Sequence, residues 1–256
     1  MQNKIELKPN QMILFIGDSI TDAERSLRAY KPFGFGYVHF VANFLLAKYP
    51  AYNLNIINRG ISGDSVRDLK TRWQRDCLDH KPDILSILIG VNDVWRRFEE
   101  GNLSRAVFID EYEATYRQLL NEVKCLNCHS DRSDAKRRAA EESIKTDSST
   151  PLRCARNDVL NRPEVRQKCN SQIVICEPFM FCDDFTNPIF AELRRYVEVV
   201  RKIVADYDAV LVPFQTAIDE QIKSVPPQKW SLDSVHPELW AHSWLARQWL
   251  TATGFL

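Results

Sequence analysis

Gly17-Asp18-Ser19 falls where an apolar run, Ile13 to Ile16, gives way to Ile20-Thr21-Asp22, which puts a hydroxyl at the mouth of a helical pattern. Such a serine either caps the helix or acts as a nucleophile, and the second role needs a histidine to take its proton. Five histidines are present. His39 sits within a helical pattern, His80 ends one, His129 lies in a polar stretch, and His242 is surrounded by Trp240, Trp244 and Leu245, a setting for a structural imidazole. His236 alone stands in a strand-edge loop, with Pro237 suited to the first turn of the next helix. Asp233, three residues before it, can fold back to hold the other ring N–H and so keep the base in its working tautomer. Ser19, His236 and Asp233 are thus expected to act as nucleophile, base and orienter.

Attack on an ester carbonyl also needs donors for the oxyanion, and losing one typically costs about 100- to 1000-fold in rate. The backbone N–H of Ser19 at a helix N-terminus, the backbone of Gly63 and the side-chain amide of Asn92 are the expected donors. A neutral amide suits a neutral ester. Asp18 is expected to anchor the first loop, with substrate contact as its other role, and Asp93 to bond neighbouring backbone. Trp73 and Trp95 are candidates either for substrate contact or for core packing.

These residues must be brought together by the elements around them. Five apolar runs, Met12–Ile16, Leu54–Ile57, Ile84–Ile89, Gln172–Cys176 and Ala209–Pro213, have the length and composition of strands covered on both faces. Helical patterns fall at Tyr37–Lys48, Val66–Leu78, Ile109–Val123, Pro188–Asp206, Thr216–Lys223 and Pro237–Thr251. The alternation predicts an α/β fold, a five-stranded parallel sheet with helices on both faces. In such a sheet the site lies beyond the carboxyl ends of the strands, where Ser19, the Asn58–Gly63 loop, the Gly90–Asp93 loop and, one helix after the last strand, the Asp233–His236 loop are expected to meet.

The chain reads as one domain, 1–256, interrupted by a charged insertion at about 124–168 where a short connection would be usual. Within it, Cys125-Leu126-Asn127-Cys128-His129 has the form of a haem attachment and, with Cys154 and Cys169, could be drawn as a zinc site; irregular spacing favours free thiols, and neither metal nor cofactor is expected. Gly34 to His39 lacks the third glycine and the preceding strand of a nucleotide loop. Lysine plus arginine equals aspartate plus glutamate at 34 each, so no net field recruits nucleic acid or an anionic membrane. With no apolar leader or span and an odd count of seven cysteines, a cytoplasmic location is expected. Subunit number is left open.

The ordered blocks "GDSIT", "NRGISGD", "GVND" and "DSVH" resemble those of the SGNH, or GDSL, hydrolases, and no G-x-S-x-G of the α/β-hydrolase elbow is present. The resemblance implies a flavodoxin-like three-layer α/β/α fold, with Ser19, Gly63, Asn92 and His236 as the four named residues and Asp233 as the orienter. Longer stretches, "INRGISGDSVRDLKTRW", "LSILIGVNDVWRRF" and "VHPELWAHSWLARQWL" among them, look like intracellular bacterial esterases that deacetylate xylo-oligosaccharides. Those relatives lack the long insertion and carry tryptophan before the catalytic aspartate, where this chain has Leu232 and, two places earlier, Trp230, a further candidate for sugar contact. The implied activity is hydrolysis of short acyl esters of a small neutral sugar through an acyl-Ser19 intermediate. A general short-chain or lipid esterase is the alternative within enzymes, since a triad specifies the reaction and not the alcohol; a catalytically silent carbohydrate-binding or regulatory protein is the alternative outside them.

Overall fold

The structure is a computed structural model that describes residues 4–124 and 171–256; the 124–168 insertion, apart from Lys124, and the cysteine and histidine pattern in it lie outside the described residues. Five parallel strands, β1 (Met12–Gly17), β2 (Asn55–Gly60), β3 (Ile84–Leu88), β4 (Gln172–Cys176) and β5 (Val210–Val212), form one sheet in the order β2-β1-β3-β4-β5. This is the flavodoxin-like order, whose reversal lies between β1 and β3. Ile13, Leu14, Phe15 and Ile16 are fully buried, as are Ile84 and Leu85, because helices cover both sheet faces.

The expected strands are present, with shifted ends. β2 runs on through Asn58 and Arg59 to Gly60, in register with Phe15, Ile16 and Gly17. Its burial alternates because it is an edge strand, with Arg59 half-buried, while Asn58 is buried and donates through Nδ2 to Thr21 O and Phe33 O.

The helices are α1 (Ser19–Asp22), α2 (Tyr37–Lys48), α3 (Val66–Asp76), α4 (Val91–Phe98), α5 (109–124), α6 (Pro188–Tyr207), α7 (Phe214–Ile222), α8 (Pro227–Trp230) and α9 (Leu239–Thr253). α2 and α9 pack together. Trp73 Nε1 of α3 donates to Leu119 O of α5, and Tyr207 Oη of α6 donates to Arg117 O of α5, which ties a second helical layer. Between the layers, Trp249 Nε1 donates to Ser86 Oγ in β3, so the buried hydroxyl at the sheet centre is satisfied.

Three features differ from the sequence expectation. The last helix begins at Leu239, after Pro237, with Glu238 as its N-cap. α1 is a single turn ended by left-handed Ala23, φ 40°, so the macrodipole expected behind Ser19 is replaced by the local N–H groups of that turn. The Gly90–Asp93 segment is not a loop alone but leads into α4. No helix among the described residues is long and apolar enough to cross a membrane.

Candidate active site

Gly17 ends β1 against β3: a Cβ there would stand 2.1 Å from Leu88 O. The chain then turns sharply, and Asp18, not Ser19, caps α1, its Oδ1 accepting the Ile20 N–H at 3.0 Å. Ser19 is therefore free of the capping role. Gly60 closes the opposite side, since a Cβ on it would meet Asp22 N at 2.2 Å.

Ser19 Oγ lies 2.9 Å from His236 Nε2, and His236 Nδ1 lies 2.6 Å from Asp233 Oδ2. With the ring proton donated from Nδ1 to the carboxylate, Nε2 is left to accept from the Ser19 hydroxyl. The other oxygen of Asp233 accepts from Ser231 Oγ, Val235 N and His236 N at 2.9, 2.9 and 2.7 Å. Burial works against the charge of Asp233, but these bonds outweigh it and hold the carboxyl below the usual carboxylate range. The loop that carries the pair is fixed by Ser234, left-handed at φ 68°, whose carbonyl accepts from Phe181 N at 2.8 Å.

The residues after β2 form the second wall. Ser62 N and Oγ donate to Asp22 Oδ2, Asn92 Nδ2 donates to Asp64 O at 3.0 Å, and Val66 N donates to both oxygens of Asp93. Among the described residues the N–H groups of Ser19 and Gly63 have no acceptor, and Asn92 Nδ2 uses one of its two hydrogens. The donors an oxyanion would need are thus unengaged. Asp93 bonds backbone as expected.

Sequence reasoning missed Arg72. The residue is 8% exposed, and its guanidinium donates to Gly17 O, Arg59 O, Asp64 Oδ2 and Asp76 Oδ2, joining the ends of β1 and β2 to α3. A buried cation survives there because two carboxylates and two carbonyls replace its water. Only its Asp76 partner, four residues on, was visible in the sequence as a helical pair.

Two tryptophans and one aspartate leave the substrate set. Trp73, 1% exposed, is core, its indole N–H held by Leu119 O. Trp230, 2% exposed, stacks on Phe181 at 5.7 Å and 17° and touches Trp240 and Trp244, so it is core. Asp18 is 1% exposed; burial pushes its carboxyl up to about 7 against the Ile20 bond and the charge of His236. Trp95 does line the cleft, with Val91, Asn92, Asp233, Val235 and His236, around about 190 Å³. His242 is structural: 3% exposed, it accepts the Tyr37 N–H at Nδ1, and burial lowers it to about 4. Among the described residues no three His, Cys, Asp or Glu side chains cluster as metal ligands.

A doubly wound α/β/α sandwich with a hydroxyl–imidazole–carboxylate chain at the carboxyl edge of its sheet is the arrangement of a serine hydrolase. The model of the GDSL-like Lipase/Acylhydrolase family matches residues 15–243, and the chain belongs to that family. It is 32% identical to an acetylxylan esterase of Geobacillus stearothermophilus over 98% of this chain and 97% of the relative. A crystal structure of Axe2, an acetylxylan esterase from that organism, aligns with a TM-score of 0.77 over 98% of both chains at 32% identity. Catalytic mutants of Axe2 with a serine, an aspartate or a histidine replaced by alanine align equally well, at 31% identity and TM-score 0.77 over 98% of both chains. The protein is a carboxylic ester hydrolase.

Proposed function

We propose that this esterase removes acetyl groups from neutral sugars of the xylo-oligosaccharide class, with Ser19 as nucleophile, His236 as base and Asp233 as orienter. His236 Nε2 takes the hydroxyl proton as Ser19 Oγ attacks the acetyl carbonyl; the backbone N–H groups of Ser19 and Gly63 and the amide of Asn92 receive the oxyanion. The same imidazolium protonates the sugar oxygen as its bond to the acetyl carbon breaks, and water deprotonated by His236 then attacks acetyl-Ser19, releasing acetate as the proton returns to Ser19 Oγ. The observation that carries the reading is the 2.9 and 2.6 Å chain from Ser19 through His236 to Asp233 at the mouth of a small cleft.

The size of the cleft supports a short acyl group. About 190 Å³ is less than the roughly 300–1,000 Å³ of sites that enclose a larger ligand, so the alcohol portion rests outside. Trp95 is assigned to the face that meets the sugar. The acetylxylan esterase relatives point to the same substrate class.

The test is acetate release from acetylated xylobiose, beside p-nitrophenyl acetate and p-nitrophenyl octanoate. Wild type is expected to prefer the acetylated sugar, and Ser19→Ala or His236→Ala to lose at least about 1000-fold in kcat with an unchanged thermal midpoint. Preference for octanoate would move the assignment to a lipid esterase. Retained sugar binding without turnover of any ester would make the protein a binding module.

A further inference from the structure

α4 turns one face toward the loop after β2 and holds it at three points. Asn92 takes Asp64 O, Asp93 takes Val66 N, and Arg96, one turn beyond Asn92, donates through Nη2 to Gly63 O. Arg96 is 7% exposed, and its Nη1 also meets Asp68 Oδ2 at 3.2 Å. Asp68 in turn accepts from Ser65 N and Ser65 Oγ at 2.8 and 2.6 Å in the capping box of α3. The guanidinium is therefore braced on the helix that follows the loop it grips.

Gly63 is where that grip matters. Its φ of +82° lies in the region glycine enters freely, and a glycine there does not by itself hold one peptide orientation. Its N–H is unengaged among the described residues, so nothing on the donor side directs it. Two contacts restrain the residue: the turn Ile61–Asp64, closed by Asp64 N donating to Ile61 O at 3.2 Å, and the grip of Arg96 on the Gly63 carbonyl.

We propose that Arg96 is a positioning residue for ester hydrolysis: by gripping the Gly63 carbonyl from α4 it fixes the Gly63–Asp64 peptide and, through the Ile61–Asp64 turn, holds the Gly63 N–H toward the developing oxyanion before substrate arrives. Asn92 sits on the same helix, so one rigid element sets both donors. The inference rests on the assignment of Gly63 and Asn92 as oxyanion donors. Arg96 itself touches neither the ester nor the reacting atoms. A lysine at the position would keep the charge and lose the fork that reaches both Gly63 O and Asp68.

The experiment compares wild type, Arg96→Ala, Arg96→Lys and Asn92→Ala on p-nitrophenyl acetate. It measures kcat per titrated active site, KM, and the Ki of a short alkylboronic acid, which forms a tetrahedral adduct on serine. Arg96→Ala is expected to lower kcat by about 10- to 100-fold, less than outright loss of a donor, with KM within about twofold. The boronate Ki is expected to rise in step with the loss in kcat, and Arg96→Lys to fall between the alanine variant and wild type. A kcat per site within about threefold of wild type in Arg96→Ala, while Asn92→Ala is crippled, overturns the role of Arg96 alone. An undisturbed Asn92→Ala overturns the oxyanion assignment beneath it. Should Arg96→Ala not fold, Arg96→Lys decides: a lower thermal midpoint with wild-type kcat per site and Ki would mark Arg96 as a stability residue and overturn the proposal.

Discussion

Asp233 places two demands on one carboxylate. Oδ1 collects three donors from its own loop, and Oδ2 faces the imidazole. Because those bonds hold its carboxyl below the usual range, the contribution to stability is present above the ordinary value of 3.8 and is lost as pH falls below it. Across neutral pH the group stays charged. Asp233→Asn should keep its carbonyl oxygen toward the three loop donors, which turns the amide N–H toward His236 Nδ1. The ring proton is then forced onto Nε2, where it faces Ser19, and kcat should fall by about 1,000- to 10,000-fold, with a lower thermal midpoint at neutral pH because the amide lacks the stabilised charge. Steady-state kinetics and a melting curve on one preparation check both halves. This aspartate was legible in the sequence because its geometry is local, three residues from His236. The direction in which Trp73 and Trp230 point was not, since an aromatic residue at helical spacing serves core and cleft alike.

At the scale of elements, α4 is the piece the sequence hid. Val91, Val94 and Phe98 keep the spacing of a helical face, but the segment is only eight residues long and follows Gly90 at a strand end, so it read as loop. Its second residue after Val91, Asp93, is fully buried; burial pushes its carboxyl up to about 8, the Val66 bond opposing and the nearby Asp18 carboxyl adding to the rise. A raised acid binds its proton more tightly folded than unfolded. The associated stability is therefore complete below about 3.8 and is lost as pH climbs through about 8. Asp93→Asn retains an acceptor for Val66 N and cannot ionise. Its thermal midpoint should decline less between pH 5 and pH 9 than that of wild type and exceed it at the alkaline end. Parallel slopes for the two proteins would show that Asp93 does not carry the effect.

For the molecule as a whole, stability rests on two helical layers locked onto one sheet. Trp73 joins α3 to α5 beneath the second loop, and Trp73→Ala removes a buried ring together with the partner of Leu119 O. A cost of about 3–5 kcal/mol is expected from large-to-small change in a core. Against a typical total of roughly 5–15 kcal/mol, this should appear as a clear drop in the urea midpoint at unchanged slope.

The sequence by itself determined the alternation of strands and helices and the loops that meet at the carboxyl edge, and it singled out Ser19, His236 and Asp233. Each of these follows from periodicity or from near neighbours along the chain. Tertiary structure alone decided that Asp18 caps α1, that Arg72 and Arg96 lock the second loop, and that the N–H groups of Ser19 and Gly63 have no acceptor among the described residues. Burial and hydrogen-bond partners are set by segments far apart in the chain, and no local pattern encodes which donor is left without an acceptor.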